Sequence, residues 1–251
     1  MPPEPNQQIL NYLLGNLDVL CRNFAGYNEN VLLSSKLEYI LWDRMQRQDG
    51  IPVDVFLSSW MMHARSEEST GRMIDVYKGD WNPDGFVLSE QNSTALALEL
   101  SLRMPSDQSI LATELEKIEN PDRKKKLSFI MPAASADKTQ RDAFFNRLLN
   151  AENRNPEPWV LDALYYLHHP LHEGQGMEYI PQSLALLEEI QRTGDIFFPQ
   201  NWLGATLQHY HQQEVLQMVK EYLENNPALS NNLRQKVYQA SDLLFRATGK
   251  Y

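Results

Sequence analysis

Residues 159–176 read WVLDALYYLHHPLHEGQG. Val160, Ala163, Leu164 and Leu167 recur at three- and four-residue steps, the stripe of an amphipathic helix. Pro170 then disfavours helix at His169 and removes a backbone donor, so the helix is expected to end near His168. The tail of the stretch reads HExxG, one residue short of HExxH. A zinc-peptidase helix needs two imidazoles at i and i+4 on one continuous helix, with the glutamate activating a metal-bound water. His168 and His172 have that spacing, but Pro170 lies between them, and Gly176 stands where a second histidine would be. Gly174 and Gly176 argue against a helical restart. The stretch therefore predicts a helix end with His168 and His169 at its carbonyl terminus, where imidazole donors are favoured, and no metal site.

The same period runs outward in both directions. It appears at Ile9, Leu10, Leu13, Leu14, Leu17, Leu20 and Phe24, and again at Leu33, Leu37, Ile40 and Leu41. It returns at Val215, Leu216, Val219 and Leu223, and at Val237, Ser241, Leu244 and Phe245. Strand-like material is limited to Phe86–Leu88 and Ile196–Phe198. Pro52, Pro121, Pro156, Pro158, Pro181 and Pro199 each fall at or just before an apolar-periodic run, where a missing amide hydrogen costs least. Asn120-Pro121-Asp122 combines a capping side chain, proline at the first helical position and an acid at the positive dipole end. Asp137 opens another helix, and Gly194 closes one that begins near Pro181.

About a dozen helices joined by short links are expected to pack as antiparallel pairs. The fold class is all-α, an irregular HEAT-like or armadillo-like superhelical array without a clean sequence repeat. Residues 1–251 read as a single domain, with a weak spot at Trp81–Gly85 and residues 1–5 as a linker or artificial boundary.

Composition narrows the function classes. The 251 residues carry a formal charge of −10, with 42% hydrophobic and 22% charged residues. A surface this acidic argues against sequence-independent nucleic-acid binding. The one basic cluster, Arg123 to Lys126, reads as a solvated helix face. Cys21 is the only cysteine, so an intrachain disulfide and a CxxC motif are both excluded, and its apolar setting marks it as a core residue. No apolar run reaches the roughly 18 residues of a membrane span. GxSxG, GxxxxGK[ST] and GxGxxG are absent. The neighbouring acids Glu67-Glu68 and Glu188-Glu189 point to different helix azimuths, and Tyr165-Tyr166 reads as packing. His209 and His211, two apart, do not share a helix face.

Four segments carry more. NPDRKKKLSFIMPAAS (120–135), RDAFFNRLLNAENRNPEPWVLDALYYLHHPL (141–171), LLEEIQRTGDIFFPQNWL (186–203) and LRQKVYQASDLLFRA (233–247) together resemble the C-terminal helical domain of aminopeptidase N-like zinc metallopeptidases of bacterial type. The weaker LSEQNSTALALELSLRMP (88–105) fits the same segment, whereas 6–80 matches by helical character and position alone. The resemblance implies chemistry in a separate, thermolysin-like domain, whose HExxH and downstream glutamate bind zinc and whose GxMEN-type loop holds the substrate's amino terminus. Neither motif occurs in this chain, so the catalytic and metal ligands are expected outside it. The partners so implied are the catalytic domain of the same polypeptide and a peptide substrate, for which this domain forms one wall of the chamber. Where the family usually has arginine after HHPL, this chain has His172. Arg154 in AENRNPE is the candidate to face the substrate and bind a peptide carboxylate bidentately, with a structural salt bridge as the other reading. The alternative is a free-standing α-solenoid that binds a protein partner. Compartment is left open, because an export signal would lie upstream.

Overall fold

The computed structural model describes residues 6–23, 27–47, 51–107 and 109–249; residues 1–5 and Phe24 lie outside that set. Among the described residues the regular structure is helical and no strand occurs, so the all-α expectation holds. Phe86–Leu88 is an extended linker, and Ile196–Phe197 is a turn leading into a helix. The chain divides into two compact units, Met1–Met104 and Pro105–Tyr251. The expected weak spot at Trp81–Gly85 is a short 3-10 turn inside the first unit.

The first unit contains α1 (Gln7–Asn23), α2 (Tyr27–Met45), α3 (Val53–His63), α4 (Glu67–Lys78) and α5 (Glu90–Arg103). Helix α3 packs on both α1 and α2. It buries Val55, Phe56, Leu57, Ser59, Trp60, Met61 and His63, residues from nearly every azimuth. Such a helix is apolar all round rather than striped, the pattern of a core element. Trp42 of α2 stacks against Trp60 at 4.9 Å and Trp81 at 4.8 Å, and the Arg72 guanidinium lies 4.9 Å over the Trp42 ring. Helix α4 opens with the Ser66 hydroxyl accepting from Ser69 N and closes at Gly79, whose φ of 78° suits glycine alone without strain. Arg103 at the end of α5 pairs with Glu99 and donates to the carbonyls of Met61 and Ala64, tying α5 to the end of α3.

The second unit runs from α6 (Ser109–Lys117) through α7 (Pro121–Ile130), α8 (Lys138–Leu148), α9 (Glu157–Leu167), the single turn α10 (Glu173–Gly176), α11 (Ile180–Ala185), α12 (Leu187–Thr193), α13 (Phe198–Leu207), α14 (Gln213–Asn225) and α15 (Asn231–Ala247). Helices α7, α9, α13 and α15 form a continuous row, each packed on the next, while α14 touches α11 and α15. Non-successive helices thus stack through their apolar faces, with Val160, Leu164, Trp202, Leu203, Val237 and Leu244 buried along the row.

Proline and caps act where the sequence places them. Asn120 accepts from Asp122 N and Arg123 N at the start of α7, and Asp137 accepts from Thr139 N at the start of α8. Pro121, Pro158, Pro181 and Pro199 occupy first-turn positions. The helix expected between Pro181 and Gly194 is broken at Leu186 into α11 and α12. In the basic cluster, Lys126 pairs with Asp162 of α9 at 2.6 Å across an exposed edge, and the other members face solvent.

Candidate functional site

Helix α9 ends where the sequence predicts, with His168 as its C-cap residue. Beyond it, a 3-10 turn over Pro170–His172 leads into α10, so a one-turn helical restart does form despite Gly174 and Gly176. The restart brings Gly176 against the end of α9. A Cβ there would sit 2.5 Å from Tyr210 Oη, 3.1 Å from Leu167 O and 3.3 Å from His168 Cα. This close approach favours glycine, because any side chain would have to move the Tyr210 hydroxyl and crowd the end of α9.

The histidines face inward. His168 is fully buried, and its Nδ1 lies 2.9 Å from Tyr210 Oη. Burial pushes its pKa down to about 3, so the ring is neutral at physiological pH. His169 is also buried, and its Nδ1 accepts from Leu171 N. His172 is held down to about 4 by burial, then by the Arg141 charge and His169. Imidazoles so far from neutral pKa are poor proton carriers at pH 7. His168 and His172 lie on separate helical pieces, and a side chain at position 176 would meet Tyr210 Oη and the end of α9. The Glu173 side chain lies outside the described set.

Arg141 of α8 lies beside this cluster. It is buried, and it donates to Ser135 O and Gln175 Oε1 while its Nε has no protein partner. A rim of charge adjoins it on α8. Lys138 Nζ bonds Asp142 and Glu178 at 3.0 Å, and Tyr179 Oη donates to Asp142 Oδ1 at 2.6 Å. The Tyr179 hydrogen bond, then Lys138, hold the Asp142 carboxyl below its usual range, while burial and Asp142 push Tyr179 up to about 12. The network fixes α8 to the 170–180 segment with its groups in their charge-stabilised forms.

Arg154 is placed inside the second unit, 3% exposed. Its Nε donates to Leu148 O, its Nη2 donates to Leu149 O, and it pairs with Glu189 of α12 at 2.9 Å. Three of its five donor hydrogens are taken by these partners, and the Nη1 group is buried without one. The structure assigns it the salt-bridge role, because the last carbonyls of α8 need donors and this guanidinium supplies them.

Two further constellations need sequence-distant partners and were not legible in the chain. In the first unit, Ser59 Oγ donates to Asp18 Oδ1 at 2.8 Å, and His63 Nε2 lies 2.6 Å from the same oxygen. A nucleophile relay places histidine between serine and acid. Here the acid is central, so the three residues anchor α3 to α1. Cys21 beside them is buried, and burial followed by Asp18 pushes its thiol pKa up, the opposite of activation.

In the second unit, a groove of about 670 Å³ lies between α14 and α15. It is lined by Lys220, Leu223, Glu224, Arg234, Tyr238 and Phe245, with Pro227 at its end. Lys220 Nζ sits 5.6 Å over the Phe245 ring, and Arg234 donates to Asn226 O at 2.9 Å and more weakly to Leu223 O. Unlike Arg154, Arg234 is only half-buried. The groove is shallow and largely open to solvent.

No protein-family model matches this sequence, and no curated protein matches it.

Proposed function

We infer that this chain is the non-catalytic C-terminal helical domain of a zinc-dependent aminopeptidase, forming one wall of the substrate chamber and limiting which peptides enter. The observation that carries this reading is a coincidence of motif and packing. The four segments resembling that family hold α7, α8 with α9, α12 with α13, and α15, and α7, α9, α13 and α15 are the successive members of the continuous row. A stacked helical wall beside a cleft can exclude water and restrict substrate by volume.

Under this reading, zinc and the hydrolytic residues belong to the catalytic domain of the same polypeptide, and that domain and the peptide are the partners. A peptide carboxylate reaching the α14–α15 groove would meet Lys220 and Arg234, the latter already donating to the carbonyls of Leu223 and Asn226. Arg154 serves the wall's own structure.

The test joins genetics to assay. The reading frame through Met1 is expected to continue upstream into HExxH and a GxMEN-type loop. The full-length product is expected to cleave aminoacyl-anilides in a chelator-sensitive manner, and the 251 residues alone are not. A stop codon and ribosome-binding site immediately before Met1 would favour a free-standing helical scaffold instead. Chelator-sensitive cleavage by the 251-residue chain would overturn the assignment.

A further inference from the structure

Arg141 is 1% exposed, and its guanidinium donates to two neutral oxygens, Ser135 O from Nη1 and Gln175 Oε1 from Nη2. Its Nε–H is buried without a partner among the described residues. A guanidinium taken out of water is ordinarily met by a carboxylate, because the desolvated charge is costly without one. Asp142, its neighbour in sequence, is bound to Lys138 and Tyr179 instead.

The geometry of the unfilled donor is specific. In a planar guanidinium, Nε–H and one Nη2–H leave the same edge in parallel, spaced to meet the two oxygens of a carboxylate. An amide has a single acceptor oxygen, so Gln175 takes Nη2 and leaves Nε–H over. His172 Nδ1 is a second buried atom without a partner, and its ring is near enough to Arg141 for that cation to help lower its pKa. Gln175 is itself exposed to solvent, on the one-turn α10 between Gly174 and Gly176. A Cβ at Gly174 would meet nothing, so the Gln175 side chain has a way out. Arg154 differs, because its hydrogens lie on α8 carbonyls and Glu189.

We propose that Arg141 is the floor of a carboxylate-binding site gated by Gln175. A ligand carboxylate displaces the Gln175 amide and accepts Nε–H and Nη2–H together. The rim sets Lys138 against Asp142 and Glu178, one cation to two acids, so a ligand carrying further negative charge is disfavoured. The ligand is therefore a monocarboxylate, either a small free acid or the C-terminus of a peptide. The inference rests on packing within the second unit and stands apart from the aminopeptidase reading.

The test follows the Arg141 Nε–H cross-peak by proton–nitrogen NMR of the 251-residue chain in a carboxylate-free neutral buffer. The peak is assigned by its loss in Arg141→Lys or, if that variant does not fold, by its displacement in Gln175→Glu. Sodium acetate is expected to move it downfield with half-saturation at about 1–10 mM. Acetamide, and sodium chloride at equal ionic strength, leave it in place. Gln175→Ala removes the competing amide and should tighten acetate binding about threefold. Gln175→Glu should show the displaced peak without ligand and bind acetate at least about tenfold more weakly. Trialanine separates the two sources: binding tighter than acetate, and lost in its C-terminal amide, assigns a peptide terminus, whereas binding equal to acetate assigns a small free acid. A peak that ignores ~100 mM acetate, follows chloride equally, or answers acetate unchanged in Gln175→Glu would overturn the proposal. So would a wild-type peak already downfield that returns in Glu173→Gln, since the chain would then fill the site itself.

Discussion

His168 makes the second unit sensitive to acid in a way that can be isolated. The folded protein keeps this imidazole neutral until the pH reaches about 3, because the ring is fully buried. The unfolded chain protonates it near its ordinary value of about 6.5. Across that window the unfolded state holds more protons, so stability falls as pH falls from about 6.5 toward about 3, and is flat above. Integrating the difference from pH ~7.5 to pH ~5 gives a loss of about 2 kcal/mol from this one residue. The assay is urea denaturation of wild type and His168→Gln at both pH values, followed by circular dichroism. The variant starts less stable, because it loses the Tyr210 contact and ring packing. Its loss between the two pH values should nevertheless be about 2 kcal/mol smaller than that of wild type. Carboxylates and the other histidines titrate in both proteins and cancel in the comparison. Equal pH dependence in the two proteins, or an NMR titration placing His168 near 6, would refute the claim that burial keeps the ring neutral.

Other consequences are equally direct. Gly176→Ala should destabilise by about 1–3 kcal/mol, read as a lowered melting temperature, because its Cβ meets Tyr210 Oη and two backbone atoms. Gly176→His, which completes HExxH on paper, should lower stability at least as far and bind no stoichiometric zinc by calorimetry. Arg154→Leu should cost about 2–4 kcal/mol in denaturant unfolding, since two α8 carbonyls and Glu189 lose their donor. Arg154→Lys should recover only part of that, lacking the fork that spans both carbonyls. Asn120→Ala removes the acceptor for two amides at the start of α7 and should cost about 1 kcal/mol.

Helix starts were the most legible part of the sequence. Pro121, Asn120, Asp137 and Pro199 act through neighbours two or three residues away, so local chemistry suffices to place them. Helix α3 follows Pro52 as its sequence indicates, but because it is buried from nearly all sides no single stripe reveals which helices pack on it. The α10 turn departs from what local sequence implies because of tertiary contact. Two glycines weaken a helix in isolation, but tertiary contact with Tyr210 and the end of α9 favours a residue without a side chain at position 176. Buried polar partners were not legible at all. His168 meets Tyr210 42 residues away, and Arg154 meets Glu189 35 residues away. No local pattern encodes a separation of that kind.

Both ends of α8 illustrate how this limit bears on function. Upstream of the helix, Arg141 donates back to Ser135 O; downstream, Arg154 donates to Leu148 O and Leu149 O. A charged residue within a family-like motif invites a ligand-binding role, yet the end of a helix leaves carbonyls without intrahelical donors and an arginine fork can satisfy two of them at once. Burial together with the partners separates the two roles. A ligand-binding arginine must reach the ligand, whereas one at 3% exposure with its hydrogens on carbonyls is fastening the fold. Arg234, half-buried beside an open groove, lies in a family-like motif as well, and its guanidinium donates to the carbonyls of Leu223 and Asn226 at the end of α14. The side chains that make the helical wall rigid are thus the ones that look most functional in sequence, and those able to touch a ligand are distinguished only once the helices are stacked.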